Sequence, residues 1–191
     1  MNNLIIMGMP AAGKGTTCKR LSNDQGYEHI STGDMLRHEQ AIGSKIGKLA
    51  DKLIATGGYM PDDIIISMVK ERIINSKNTI GFLFDGFPRT NEQAKQLHAF
   101  LVQRKMPISK VIFLDVNENE AVERINERAR KQGRPDDAPE VIKQRLKEYR
   151  EKTAPLVSFF EKRGLLHRVP STHGIDTMCG NVLSAINQPV L

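Results

Sequence analysis

The run Gly8-Met9-Pro10-Ala11-Ala12-Gly13-Lys14-Gly15-Thr16-Thr17 puts a lysine and two hydroxyls at the end of a glycine-rich loop, directly after the apolar stretch Leu4–Met7. Backbone N–H groups in such a loop converge on an anion, and a helix that starts at its end adds its dipole. Lys14 then supplies a mobile point charge to phosphates, and a following hydroxyl helps hold Mg2+. The general pattern wants Ser or Thr right after the lysine. Here Gly15 stands there and Thr16 is the next hydroxyl. The plain alternative is a tight turn with an incidental lysine, and a strand before and a helix after argue against it. The dinucleotide fingerprint G-x-G-x-x-G is not met, because Met9 and Pro10 follow Gly8.

A second group follows an apolar strand that ends in an acid, Gly81-Phe82-Leu83-Phe84-Asp85, and continues Gly86-Phe87-Pro88-Arg89. Beside a phosphate loop, a carboxylate at a strand end can order the waters of Mg2+. An arginine just after a central strand points into the crevice where open α/β sheets bind ligands, and its planar fork grips a phosphate bidentately. Thr90-Asn91-Glu92-Gln93 fits a capping box, with Thr90 as N-cap and Gln93 reaching back to it. The same amide could instead read a base edge with one donor and one acceptor. Composition does not separate the two.

Arg124 and Arg128 lie four apart on one helical stretch, a spacing that costs a few tenths of a kcal/mol between like charges. Glu120 is placed to pair with Arg124. Arg134 follows Gly133, and Arg145 lies beside the apolar row Ile142, Leu146 and Tyr149. Either these arginines have separate partners, or they converge on an anion such as a transferring phosphoryl group.

The elements that must position these groups alternate. Strands are expected at Leu4–Met7, Tyr27–Ile30, Phe82–Phe84, Val111–Leu114 and Leu165–Val169. Helices are expected at Gly15–Asn23, Met35–Thr56, Asp62–Asn75, Asn91–Arg104, Glu118–Lys131 and Ala138–Arg163. Apolar runs without polar alternation suit strands covered on both faces, so the pattern predicts an α/β sandwich with a parallel sheet. Residues 31–60 and 127–137 read as insertions. The 191 residues fit one domain, with 39% hydrophobic and 26% charged residues. Apolar runs are too short to span a bilayer, and the start lacks the charged leader of a signal peptide. Cys18 and Cys179 are too few for a disulfide framework or zinc knuckle, which points to a reducing cytoplasmic setting. The net charge of +6 admits nucleic acid, acidic lipid or a small polyanion as partner.

Taken together, these residues resemble the adenylate kinases of the nucleoside monophosphate kinase family, in the short-lid form, over nearly the whole chain. Gly13-Lys14-Gly15-Thr16 is similar to the family's loop ending, Ser31-Thr32-Gly33-Asp34-Met35-Leu36-Arg37 to its monophosphate-binding stretch, and Asp85-Gly86-Phe87-Pro88-Arg89 to its central signature. The resemblance implies a three-layer P-loop nucleotide kinase fold with a five-stranded parallel sheet, a helical monophosphate-binding subdomain at 31–60 and a short lid at 127–137. For ATP it implies Ala11, Ala12, Gly13, Lys14, Gly15, Thr16, Arg124, His173 and Gly174. For AMP it implies Thr32, Gly33, Arg37, Met60, Gly86, Arg89, Gln93, Arg134 and Arg145. Lys14, Asp85, Arg89, Arg124, Arg128, Arg134 and Arg145 would be catalytic, and a cis Phe87-Pro88 peptide is implied as well.

The implied reaction is reversible phosphoryl transfer from ATP to AMP, giving two ADP. Mg2+ would be the cofactor, with Thr16 and Asp85 holding it through water. The long-lid insertion with its four metal ligands is missing, so no zinc is expected. The expected partners are ATP, AMP and ADP, with neither nucleic acid nor membrane, and the chain is expected to be a monomer. A UMP/CMP kinase is the near rival, against which Gln93 favours AMP. A basic nucleic-acid module is the distant one and lacks aromatic stacking platforms, aromatics being 5%. Lys14, Arg37, Arg89, Arg124, Arg128, Arg134 and Arg145 outnumber the whole charge excess, so the basic balance has a local explanation.

Overall fold

The computed structural model describes residues 1–77, 79–132, 138–171 and 174–188. Five strands form one sheet: β1 (Asn3–Gly8), β2 (Glu28–Ser31), β3 (Phe82–Asp85), β4 (Ile108–Asp115) and β5 (Leu166–Pro170). Their order is β2-β3-β1-β4-β5 and every pairing is parallel. The helices are α1 (Lys14–Gln25), α2 (Thr32–Ala41), α3 (Lys45–Ala55), α4 (Asp62–Asn75), α5 (Asn91–Gln103), α6 (Glu118–Gln132), α7 (Pro139–Glu148), α8 (Pro155–Glu161) and α9 (Ile175–Asn187). Among the described residues, no helix is long and apolar enough to cross a membrane.

Strand pleating divides the core into two layers. Ile5, Met7, Phe82, Phe84, Val111 and Phe113 pack with Ile65 and Val69 of α4, Leu97 and Leu101 of α5, and Leu156 and Phe160 of α8. Their neighbours Leu4, Ile6, Leu83, Ile112 and Leu114 face the other way, toward Cys18 and Leu21 of α1, Ala121 of α6, and Met178 and Val182 of α9. The expected three-layer architecture is therefore present. Chain order reverses at β1, which lies between β3 and β4, so a crevice opens at the carboxyl ends of these strands.

Three expected boundaries need correction. The single helix Met35–Thr56 is two helices, because Ile42-Gly43-Ser44 turns the chain. Gly43 takes φ 66°, and the Ser44 hydroxyl caps α3 by accepting from the Gly47 N–H. The helix Ala138–Arg163 is interrupted by a π-helical stretch, Tyr149–Thr153, in which the Ala154 N–H donates to the Tyr149 carbonyl at 2.8 Å. Pro155 follows, and with no N–H it continues helix only as the first residue of α8. Lastly, α9 was not among the expected helices. Its last carbonyls are gathered by the buried Lys110 of β4, whose Nζ donates to Ala185, Ile186 and Gln188. This lysine satisfies a helix end that would otherwise leave orphan acceptors.

Asn3, fully buried, ties the sheet to its loops. Its Nδ2 donates to the Met106 carbonyl at 2.7 Å, and its Oδ1 accepts from the Phe82 N–H at 3.1 Å. Asn3→Ala leaves both partners unpaired in the interior and is expected to cost about 2–4 kcal/mol. Urea unfolding monitored by circular dichroism, with an unchanged m-value, checks this. A loss below about 0.5 kcal/mol, the range of a surface change, would show the network to be dispensable.

Candidate active site

A cleft of about 710 Å3 lies above the carboxyl ends of the central strands. It is lined by the phosphate loop, by α2 and the end of α3, by Asp85–Arg89 and by α6 and α7. The loop's shape follows from its residues. Gly8 holds φ 145° with its Cα against the Leu114 carbonyl, where a Cβ would stand 2.7 Å away. Gly13 takes φ 87° as N-cap of α1, and a Cβ there would meet the Met178 methyl at 2.6 Å. Ala11 has φ 61°, a conformation that costs a residue with a side chain roughly 1–2 kcal/mol.

Lys14 reaches back over this loop and donates to the Gly8 and Met9 carbonyls at 2.9 and 2.7 Å. Its pKa is lowered to about 8, chiefly by burial. Asp85 acts in the opposite direction, while Arg89, Arg145 and Arg128 add to the lowering. Lys14 and those three arginines line the same cleft. Both Arg128 and Arg145 line the cleft and each has interactions of its own.

Asp85, at the end of β3, has Oδ2 3.3 Å from Nε2 of His29 on neighbouring β2. A Cβ on Gly15 would stand 3.2 Å from that same oxygen, so the residue after the lysine must be small for helix and carboxylate to approach. Asp85 and the exposed Thr16 both line the cleft. A carboxylate and a hydroxyl are hard oxygen donors, suited to an Mg2+ that keeps most of its waters.

Gly86 takes φ 73°, and a Cβ would crowd the Arg89 guanidinium and the Thr32 hydroxyl at 2.9 and 3.0 Å. In its absence the Gly86 carbonyl accepts from Thr32 Oγ1 at 3.0 Å and Arg89 Nε at 2.7 Å. The next peptide, Phe87-Pro88, is cis. Arg89 also lies over the Tyr59 ring, 5.0 Å from its centroid. Tyr59 and Thr153 share a hydrogen bond of 3.1 Å, and the Thr153 hydroxyl donates to the Arg89 carbonyl at 3.0 Å. Nothing in the sequence pattern marked Tyr59 or Thr153. The interrupted helix that delivers Thr153 is visible only in the fold.

Gln93 departs from the capping box in one respect. Thr90 Oγ1 accepts from the Gln93 N–H as that motif requires. The Gln93 side chain, however, passes the Thr90 N–H and accepts from the Arg89 N–H at 2.7 Å. Its Nε2 donates to Asp62, which also accepts from the Thr90 hydroxyl. Gln93 is buried but borders the cleft. One amide hydrogen and one lone pair remain to its side chain beyond these bonds.

Thr32, Gly33, Arg37 and Met60 also line the cleft. Arg37 is half exposed and paired with Asp34. Arg124 borders the cleft but is held by Glu120 at 2.6 Å and by the Ser171 hydroxyl and carbonyl at 2.7 and 2.8 Å. Ser171 Oγ in turn donates to the Ala12 carbonyl at 3.0 Å. Two expected ligands are not on the cleft wall: Ala12 is fully buried beneath the loop, and Gly174 is the N-cap of α9. Arg134, His173 and residues 133–137 of the expected lid lie outside the described residues.

The family profile described as Adenylate kinase matches residues 6–165. An adenylate kinase of Stenotrophomonas maltophilia (strain R551-3) is 42% identical over 183 residues, covering 96% of this chain and 98% of the relative. Those of Maricaulis maris (strain MCS10) and Caulobacter sp. (strain K31) are 39% and 40% identical, each covering 97% of this chain and 99% and 98% of the relative. A profile that spans most of the chain, with relatives matched almost end to end, adds sequence kinship to a loop, carboxylate and arginine cluster already in place: the chain belongs to the adenylate kinase family.

Proposed function

We propose that the cleft seats ATP on the phosphate loop and AMP against Thr32, Arg37 and Arg89, and that the arginines from α6 and α7 close on the phosphates between them. As an adenylate kinase the chain is an ATP:AMP phosphotransferase. The bond between the γ-phosphorus and the bridging oxygen breaks, and an oxygen of the AMP phosphate forms the new bond, leaving two ADP. That attacking oxygen is already anionic, so no general base is needed and no histidine is assigned one. Catalysis then rests on alignment and charge neutralisation.

The observation that carries this reading is that Lys14, Arg89, Arg128 and Arg145 all line the one cleft. Cations brought together in one cleft are stabilised by the arrival of a polyanion. Lys14 would leave the Gly8 and Met9 carbonyls for the β- and γ-phosphates. Arg89, with Nε on Gly86 and its face on Tyr59, has its outer N–H groups to offer the AMP phosphate. Asp85 and Thr16 would hold Mg2+ through water, and the bound ion would supply charge neutralisation at the β- and γ-phosphates. We also assign residues 31–60 to AMP, residues 127–137 to a short lid that excludes water, and the protein to the cytoplasm as a monomer. The remaining amide hydrogen and lone pair of Gln93 suit the adenine edge.

Lys14→Ala and Arg89→Ala are each expected to lower turnover by about 100-fold or more in a coupled ADP assay. Near wild-type rates would remove those residues from the reaction. With AMP, CMP, UMP and GMP offered side by side, AMP is expected to be the preferred acceptor, and equal use of CMP or UMP would restore the rival assignment.

The lysine also predicts a pH dependence. In the free protein Lys14 loses its proton near pH 8 rather than near 10.5, so kcat/KM for ATP should fall as pH rises through about 8. Folding responds with the opposite sign. The unfolded lysine holds its proton up to about pH 10.5, so this group's destabilising contribution is full below pH 8 and fades between 8 and 10.5. A kcat/KM profile flat to pH 9.5 would contradict the assignment.

A further inference from the structure

Behind the phosphate loop, Cys18 of α1, His29 of β2 and Asp85 of β3 meet. One potential ligand atom from each lies within 4.8 Å of the other two. Three separate elements supply them, because α1 packs across β2 and β3. Cys18 is fully buried, and the His29 and Asp85 side chains are only 11% and 13% exposed. These are not chance neighbours on an open surface.

The spacing between His29 and Asp85 is informative. Nε2 and Oδ2 are 3.3 Å apart, longer than the roughly 2.7–2.9 Å of a strong charge-assisted hydrogen bond. Two ligands bound at about 2.0–2.1 Å to a tetrahedral ion stand about 3.4 Å from each other. A thiolate at about 2.3 Å would lie some 3.6 Å from either, so Cys18 Sγ has to move inward by no more than about 1.2 Å from the limit just given. Sulfur, imidazole nitrogen and carboxylate oxygen together are the donor set of a borderline-soft cation and not of Mg2+.

We propose that Cys18 Sγ, His29 Nε2 and an Asp85 carboxylate oxygen form an inhibitory site for a thiophilic divalent cation of the Zn2+ class, with water from the cleft in the fourth position. Binding breaks the S–H bond of Cys18 and releases its proton to solvent, while the imidazole proton that Nε2 donated to Asp85 moves to Nδ1, leaving Nε2 free to bind the ion. No electron changes hands. The charges of thiolate and carboxylate balance that of the ion. The ion replaces the His29–Asp85 hydrogen bond and occupies the carboxylate that the kinase reaction uses. Burial pushes the Cys18 thiol well above its ordinary range, and Lys14 acts on it in the opposite direction. A cation that binds here must gain enough from sulfur to displace the thiol proton. This site is distinct from the four-ligand structural zinc of a long lid.

The test titrates the full nucleotide-free chain with Co2+. A sulfur-to-cobalt charge-transfer band is expected to saturate at one equivalent, with one proton released per ion. Cys18→Ser and His29→Gln should each weaken binding by more than about 100-fold, since even outer contacts of a metal site cost 10–100-fold. Cys179→Ser should leave the band unchanged. If Cys18→Ser fails to fold by circular dichroism, Cys18→Ala takes its place. Zn2+ should displace Co2+, and millimolar Mg2+ should not. Preincubation with Zn2+ should inhibit ADP formation by the unaltered chain but not by Cys18→Ser, which without Zn2+ works at the unaltered rate. Absence of the band, its loss in Cys179→Ser but not in Cys18→Ser, or its displacement by Mg2+ would each overturn the proposal.

Discussion

Lys14 lies with its ammonium between the carbonyls of Gly8 and Met9, in a space that Arg89, Arg128 and Arg145 also charge. Holding these cations together is the constraint from which much of the surrounding architecture follows. The loop carbonyls are one device: they accept hydrogen bonds from the ammonium. Asp85 is another, as the nearby negative charge that resists the lowering of the lysine pKa. Arg89 is immobilised by the Gly86 carbonyl, by the Tyr59 ring and, through its backbone, by Gln93 and Thr153. Arg89 is thereby held in one orientation at the edge of the cleft.

Much of the fold was legible because the governing signal was local. Apolar runs marked β1, β3 and β4, since a strand covered on both faces has no polar side to show. Strands β2 and β5, which carry Glu28, His29, His167 and Arg168, gave a weaker signal at nearly the same bounds. Asp62–Asn75 was readable as one helix from end to end. What escaped depended on partners far away in sequence. Helices α2 and α3 are separated by the short turn Ile42-Gly43-Ser44, in which Gly43 is left-handed and Ser44 caps α3. The break at Tyr149–Thr153 is a shift in hydrogen-bond register with no composition of its own. Helix α9 is completed at its end by Lys110, 75 residues upstream of Ala185, a contact that sequence periodicity cannot report. Its apolar residues Met178, Val182 and Ala185 do recur at helical spacing, a signal that was available.

The candidate site divides along the same line. Residues in contiguous motifs, Gly13–Thr16 and Asp85–Arg89, were found because spacing alone brings them to one strand end. For Arg124, the first alternative left by the sequence, a partner of its own, is the one seen. It borders the cleft, and it is also paired with Glu120 and bound to Ser171. Gln93 similarly serves the cap of α5 through its backbone and ties Arg89 to Asp62 through its side chain. Asking whether such a residue is structural or functional poses a false choice. The amide that stiffens the loop carrying Arg89 also sets where that arginine can point.

The departure at Gly15 has a physical origin in the same crowding. In the general phosphate-loop pattern the residue after the lysine carries a hydroxyl, and that hydroxyl needs a Cβ. Here such a Cβ would lie 3.2 Å from Asp85 Oδ2, tighter than most side-chain contacts. Helix α1 therefore sits close over β3, with Cys18 packed one turn further along the same helix. This close approach brings Asp85 up to the loop at the cost of the hydroxyl next to the lysine. The next hydroxyl along the chain is then that of Thr16, which lines the cleft together with Asp85. Small residue, close helix and strand-end acid form one arrangement, in which a side chain at Gly15 would press on the Asp85 carboxylate.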